Sequence, residues 1–165
     1  MNYVKITKHD IANGPGVRVA LWVQGCSIHC NNCHNQITWN FDYGKQFTNE
    51  TMHELYDALN LPYIQGLTLT GGHPLEKQNI KQCTEICITI KTMLPEKDIW
   101  LYTGYVWEDI KDLQIMNYID VLVDGPYIDE LRDISLAFCG SSNQRIIDVQ
   151  QSLQQNKIIL WKEGI

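Results

Sequence analysis

A strand that runs straight into a cysteine loop does most to limit what this chain can become. Val17 to Gln24 reads Val-Arg-Val-Ala-Leu-Trp-Val-Gln, apolar at most positions, as strands buried in parallel sheets are. It stops at Gly25, and Cys26-Ser27-Ile28-His29-Cys30-Asn31-Asn32-Cys33-His34-Asn35 follows at once. Spacings of three and two intervening residues let one tight loop turn three soft thiolates toward a single soft metal centre. Structural zinc usually takes four protein ligands as two separated pairs, and no second Cys-x-x-Cys pair follows here. An iron–sulfur cluster with three protein thiolates and one open iron is the sharper reading. A Cys3His zinc knuckle completed by His34 or His29 is the alternative.

The rest of the chain alternates strand and helix signals. Tyr3 to Ile11 alternates loosely and meets the turn Asn13-Gly14-Pro15-Gly16. After the cysteines, Thr38 to Phe47 is aromatic and irregular. A helix is predicted over Asn49 to Asn60, with Thr48 as N-cap and Glu50 in its first turn. Gly66 to Thr70 reads as a strand ending at Gly71-Gly72. Ile80, Cys83, Ile86, Cys87, Ile90 and Leu94 recur at helical spacing until Pro95 closes the segment. Asp98 to Thr103 is a third interior strand ending at Gly104, and a short helix covers Val106 to Leu113. Ile119 to Val123 is a fourth strand ending at Asp124-Gly125-Pro126, and Lys157 to Trp161 reads as a terminal strand.

Such alternation predicts α/β architecture with parallel strands in one domain over residues 1–165. Every candidate functional loop lies just after a strand, where open α/β sheets and β/α barrels place their ligands. A full eight-unit barrel needs at least about 200 residues. The expectation is therefore a partial, incomplete β/α barrel, with the cluster loop at the C-terminal ends of its strands.

Composition narrows the classes further. A net charge of -6 and pI near 5.2 give no sign of a nucleic-acid surface. No apolar run reaches the ~18 residues a bilayer crossing needs. The first twenty residues lack the charged-then-apolar opening of a secretory signal, and six cysteines in 165 residues are sparse for a disulfide scaffold. A reducing cytoplasm is the expected location.

Cys-x3-Cys-x2-Cys resembles the signature of the radical S-adenosylmethionine superfamily. Gly14-Pro15-Gly16-Val17-Arg18, Gln24-Gly25-Cys26, His34-Asn35 and Thr38-Trp39 resemble the glycyl-radical-enzyme activases within it. Val123 to Tyr127, Leu131-Arg132-Asp133 and Gly140-Ser141-Ser142-Asn143-Gln144-Arg145 narrow the likeness to activating proteins of anaerobic ribonucleotide reductase. The resemblance implies that Cys26, Cys30 and Cys33 hold a 4Fe–4S cluster and that S-adenosyl-L-methionine fills the open iron. It implies reductive cleavage to a 5′-deoxyadenosyl radical, which takes hydrogen from a glycine of the reductase large subunit. Reduced flavodoxin or a similar donor is the implied source of electrons, and self-association as a homodimer is compatible with it.

Gly71-Gly72-His73-Pro74 stands where the family has Gly-Gly-acid-Pro, whose acid receives the ammonium group of the methionine moiety. With His73 there, a neutral imidazole accepting one hydrogen bond and backbone carbonyls take that part. Asn32 occupies a position often aromatic in the superfamily, which leaves backbone groups of Asn32, Cys33 and His34 to meet the adenine. Asp124, Gly125, Pro126, Arg132, Asn143 and Arg145 are the candidates for docking the reductase. Cys83 and Cys87 read as small hydrophobes on a core helix face. A second metal held by them with Cys139 is the alternative. His9, His29 and His53 read as surface or packing residues.

Overall fold

The computed structural model describes residues 1–162. Its centre is one seven-stranded sheet in the order β3-β1-β2-β4-β5-β6-β7. The strands are β1 (Asn2–Asp10), β2 (Val17–Val23), β3 (Lys45–Gln46), β4 (Ile64–Gly71), β5 (Asp98–Tyr102), β6 (Val121–Asp124) and β7 (Arg145–Asp148). The helices are α1 (Asn49–Leu59), α2 (Ile80–Met93), the single turn α3 (Trp107–Ile110) and α4 (Val149–Gln155).

The four middle strands β2, β4, β5 and β6 pair in parallel, so their C-terminal ends share one edge. The margins differ from the expectation of parallel strands throughout. β1 pairs antiparallel with both β2 and β3, and β7 pairs antiparallel with β6. The reason is connection length. A tight turn through Gly14-Pro15-Gly16 allows only an antiparallel return from β1 to β2, whereas parallel neighbours need a crossover such as α2. The sheet is mixed and open.

Local chemistry explains the helices. The Thr48 hydroxyl accepts from Thr51 N (3.4 Å) and the Thr51 hydroxyl accepts from Thr48 N (3.3 Å), a reciprocal cap at the start of α1. α2 buries Cys83, Ile86, Cys87 and Ile90 along one stripe, so both cysteines are core residues. Cys139 packs in a different apolar cluster, beside Trp100 and Val121, so the three do not form a common centre.

Three elements depart from expectation. The loose alternation after Tyr3 is a nine-residue strand, β1, which pairs on both sides. The segment Val106–Leu113 is one helical turn followed by a 3-10 turn at Gln114–Asn117. The terminal strand expected at Lys157–Trp161 is a single bridge between Leu160 and Ile147. The pairing place beside β6 belongs instead to β7, with α4 following it. Among the described residues no helix is long and apolar enough to cross a membrane.

Candidate functional site

The loops that leave the C-terminal ends of β2, β4, β5 and β6 enclose one cleft of about 170 Å³. Cys26, Cys30 and Cys33 line it, together with Gly71, Gly72 and His73. The two-glycine loop lies directly on the backbone that opens the cysteine loop. Gly72 N donates to Val23 O and His73 N to Gly25 O, both at 2.8 Å. A Cβ on Gly72 would stand 2.6 Å from the Gly25 carbonyl oxygen. Gly71, at φ 99°, takes the left-handed turn that the approach requires.

Buried amides brace the cysteine loop from below. Gln24 Nε2 donates to the carbonyls of Ile37 (3.0 Å) and Asn40 (2.7 Å), which closes the loop into a ring. Asn79 Nδ2 donates to Gln24 O (2.8 Å) and His73 O (3.0 Å), tying that ring to the glycine loop. Within the loop His29 and Asn32 have φ of 52° and 54°, so the chain turns sharply between successive cysteines. Trp39 stacks on His29 with ring centroids 4.4 Å apart.

All six cysteines are free, and the three loop thiols are half-buried. Among the described residues no three His, Cys, Asp or Glu side chains gather closely enough for a single metal ion. The thiols stand around a cavity rather than a point, which suits a polynuclear group with volume of its own. Burial pushes the Cys26 thiol up, so the thiolate form wants a nearby positive centre. Asn35 N donates to Cys33 Sγ at 3.3 Å, a bond of the kind that tunes an iron–sulfur site. The donor set fits a 4Fe–4S cluster.

His73 lies on the cleft wall and is almost wholly enclosed. Its Nδ1 is 3.3 Å from Glu76 Oε1, its Nε2 is 2.7 Å from Thr103 Oγ1, and Tyr105 meets the ring edge-on. Burial holds the imidazole pKa below its ordinary value, with Glu76 only partly offsetting it. For Glu76, burial acts upward, but hydrogen bonds from Ser27 and His73 prevail and hold the carboxyl below its usual range. An ionised carboxylate only accepts, so Nδ1 carries the ring proton and Nε2 accepts from the Thr103 hydroxyl. The same Glu76 oxygen takes Ser27 N (2.8 Å) and Ser27 Oγ (2.7 Å), one residue from Cys26.

The cleft adjoins a second cavity of about 490 Å³, lined in part by Tyr127, Arg132, Ile134 and Phe138. The two share Cys33, Asn35, Thr70, Tyr102, Tyr127 and Gln144 as walls. Asn32 Nδ2 donates to Asp129 (2.7 Å) and the Tyr127 hydroxyl donates to the other oxygen of that carboxylate (2.6 Å). The segment after β6 therefore clasps the cysteine loop.

The motif Asn143-Gln144-Arg145 forms a clamp on the loop after β6. Asn143 Nδ2 donates to Pro126 O (2.8 Å) and Gln144 Nε2 to Gly125 O (3.1 Å). Arg145 pairs with Asp124, which is fully buried and also accepts from Trp107 N at 2.8 Å. Glu108 takes the other side of the guanidinium at 3.0 and 2.8 Å. Asp124, Gly125, Pro126, Asn143 and Arg145 are thus joined to one another, with Gly125 on the cleft wall. Arg132 is exposed and its guanidinium has no ion-pair partner among the described residues.

Thr103-Gly104 is one of the candidate loops that follow a strand and Gln24 belongs to a motif of the resemblance, but no motif in the sequence singles out Glu76, Ser27 or the bracing Asn79 as site residues. Glu76 carried a signal: it is an acid three positions after His73, beside the glycine turn.

A family model described as a 4Fe-4S single cluster domain matches residues 12–147. The anaerobic ribonucleoside-triphosphate reductase-activating protein of Enterobacteria phage T4 is 49% identical over 146 residues, 88% of this chain and 93% of the relative. The protein of that name from Vibrio cholerae is 41% identical over 150 residues, 88% of this chain and 97% of its own length. The one from Escherichia coli K12 is 40% identical over 148 residues, covering 87% and 96%.

Proposed function

The chain belongs to the family of anaerobic ribonucleoside-triphosphate reductase-activating proteins, and from that premise we propose how its own residues serve such activation. The observation that carries the reading is the placement of Cys26, Cys30 and Cys33 around one cleft, directly beneath the Gly71-Gly72 turn. We read the open sheet as a partial β/α barrel whose unclosed side admits a protein substrate. When bound, a 4Fe–4S cluster supplies the electron that cleaves S-adenosyl-L-methionine to methionine and a 5′-deoxyadenosyl radical, which takes hydrogen from a glycine of the reductase large subunit.

The chain's part is to bind, orient and exclude water. The three thiolates hold the cluster, and Asn35 N–H bonding to Cys33 biases its potential. Gly71, Gly72, His73 and Pro74 bring backbone close to the amino-acid portion of the ligand. Asn32, Cys33 and His34 offer backbone groups to the adenine. Docking falls to the face around Gly125, Pro126 and Arg132, with Asp124, Asn143 and Arg145 holding that loop in place from inside. A docked glycine loop then seals the cleft from water. A cytoplasmic setting, an external low-potential donor such as reduced flavodoxin, and a homodimer complete the proposal.

The test is anaerobic reconstitution with iron and sulfide. A reduced cluster signal in electron paramagnetic resonance that shifts on adding S-adenosyl-L-methionine, formation of 5′-deoxyadenosine, and a glycyl radical on added reductase are expected. Stoichiometric zinc with no cleavage product would overturn it.

A further inference from the structure

Glu76 is a buried anion without a cationic side chain of its own. It is 8% exposed, and among the described residues its only ion-pair neighbour is His73, whose ring burial keeps neutral. One carboxylate oxygen takes the Ser27 N–H, the Ser27 hydroxyl and the His73 ring. The other makes no hydrogen bond among the described residues and is not wholly sealed from solvent. A largely buried carboxylate that stays ionised is a standing negative charge that a positive group close by can answer.

The surroundings indicate where that group arrives. His73 and Thr103 line the cleft that holds the three thiols, and Glu76 sits behind them. The proton order is fixed by the acceptors. His73 Nδ1–H donates to Glu76, the Thr103 hydroxyl donates to His73 Nε2, and Tyr105 N–H occupies one lone pair of Thr103 Oγ1. One lone pair of that oxygen is left, polarised by a chain that ends on a negative charge.

We propose that Glu76, acting through His73 and Thr103, supplies the negative charge that receives the cationic amino group of the bound ligand. This rests on the S-adenosyl-L-methionine reading above and adds to it the residue that answers the ligand's ammonium. Glu76 is here a positioning residue. Its bonds to Ser27 tie the same charge to the start of the cysteine loop, so occupancy of the amino-group site steadies the residue next to Cys26.

The experiment compares two ligands on anaerobic, cluster-loaded protein by equilibrium binding: S-adenosyl-L-methionine and its deaminated keto analogue. The unaltered protein should prefer the ammonium-bearing ligand by roughly tenfold or more, the scale of a charge-assisted hydrogen bond. In Glu76→Gln that preference should fall below about threefold, whatever change in affinity the two ligands share. The exchanged variant His73→Glu with Glu76→His, which returns an acid to the cleft wall, should recover the preference. Because the readout is a ratio of two affinities, general loosening of the site does not imitate it. Retention of the full preference in Glu76→Gln would overturn the proposal, as would parallel weakening of both ligands. Failure of the exchanged pair to restore the preference, with iron content intact, would do so too. Cluster-loaded unaltered protein that does not bind S-adenosyl-L-methionine at all would overturn the functional reading itself, and this inference with it.

Discussion

Replacing Arg145 by methionine removes the cation that answers a wholly buried carboxylate. Asp124 is 0% exposed and its remaining bond is the one from Trp107 N, so the variant leaves a nearly unpaired charge inside the protein. Breaking a buried pair from one side costs about 3–5 kcal/mol. The Arg145 side chain is 33% exposed, which admits water toward Asp124 and places the loss at the lower end, about 3 kcal/mol. In a domain of this size each kcal/mol moves the melting temperature by roughly 2–4 °C, so a fall of about 6–12 °C is expected. Anaerobic thermal melts followed by circular dichroism would measure it. The sharper control is Asp124→Asn in the same background, since a neutral amide keeps an acceptor for Trp107 N and abolishes the orphaned charge. The double variant should be more stable than Arg145→Met alone. A fall under about 2 °C, or a double variant with simply additive losses, would refute the clamp as the source of stability.

Other outcomes follow from the same geometry. Gly72→Ala pushes a methyl against the Gly25 carbonyl, so it should cost about 1–3 kcal/mol and lower the iron retained after reconstitution; full iron at an unchanged melting temperature would contradict it. Arg132→Glu, exposed and free of ion pairs among the described residues, should abolish glycyl-radical formation on the reductase while sparing uncoupled release of 5′-deoxyadenosine. Equal loss of both activities would remove Arg132 from the docking face. The Glu108 carboxyl is held at about 2 by its hydrogen bonds to Arg145, below the ordinary 4.5 of a free glutamate. A lowered folded-state pKa means that its stabilisation is present above about pH 4.5 and is lost as pH falls through about 2. Being largely exposed, it contributes under about 1 kcal/mol. The gap in melting temperature between Glu108→Gln and the unaltered protein should therefore be small near neutrality and close over that acid window, and a gap that widens there would reverse the sign.

What the sequence made legible depended on how far apart the interacting residues lie. The cysteine spacing, the Thr48 cap and the Ile80–Leu94 stripe are local patterns, and each carries its own physics within one loop or helix. β1 was only half visible, because its alternation is loose and its pairing on both sides depends on a turn and on distant Lys45–Gln46. β7 was missed because Arg145-Ile146-Ile147-Asp148 is four residues long with charged ends, and its value lies in pairing with β6. A motif such as Asn143-Gln144-Arg145 reads from sequence as surface chemistry. In the folded chain its side chains reach back to residues 124–126 and hold them.

The same distinction explains the substitution at the glycine turn. A one-dimensional comparison sees His73 where an acid is expected and infers a missing charge. In three dimensions the turn after Gly72 brings position 76 back under position 73, and Glu76 restores a carboxylate to the site. On the proposal above, the route changes from direct contact to a relay through a neutral ring. A relay depends on exact proton order, and burial of His73 secures it by keeping the imidazole neutral while Glu76 stays ionised. Ser27 makes the start of the cysteine loop part of that order, so the proposed ligand and cluster sites share one hydrogen-bonded unit.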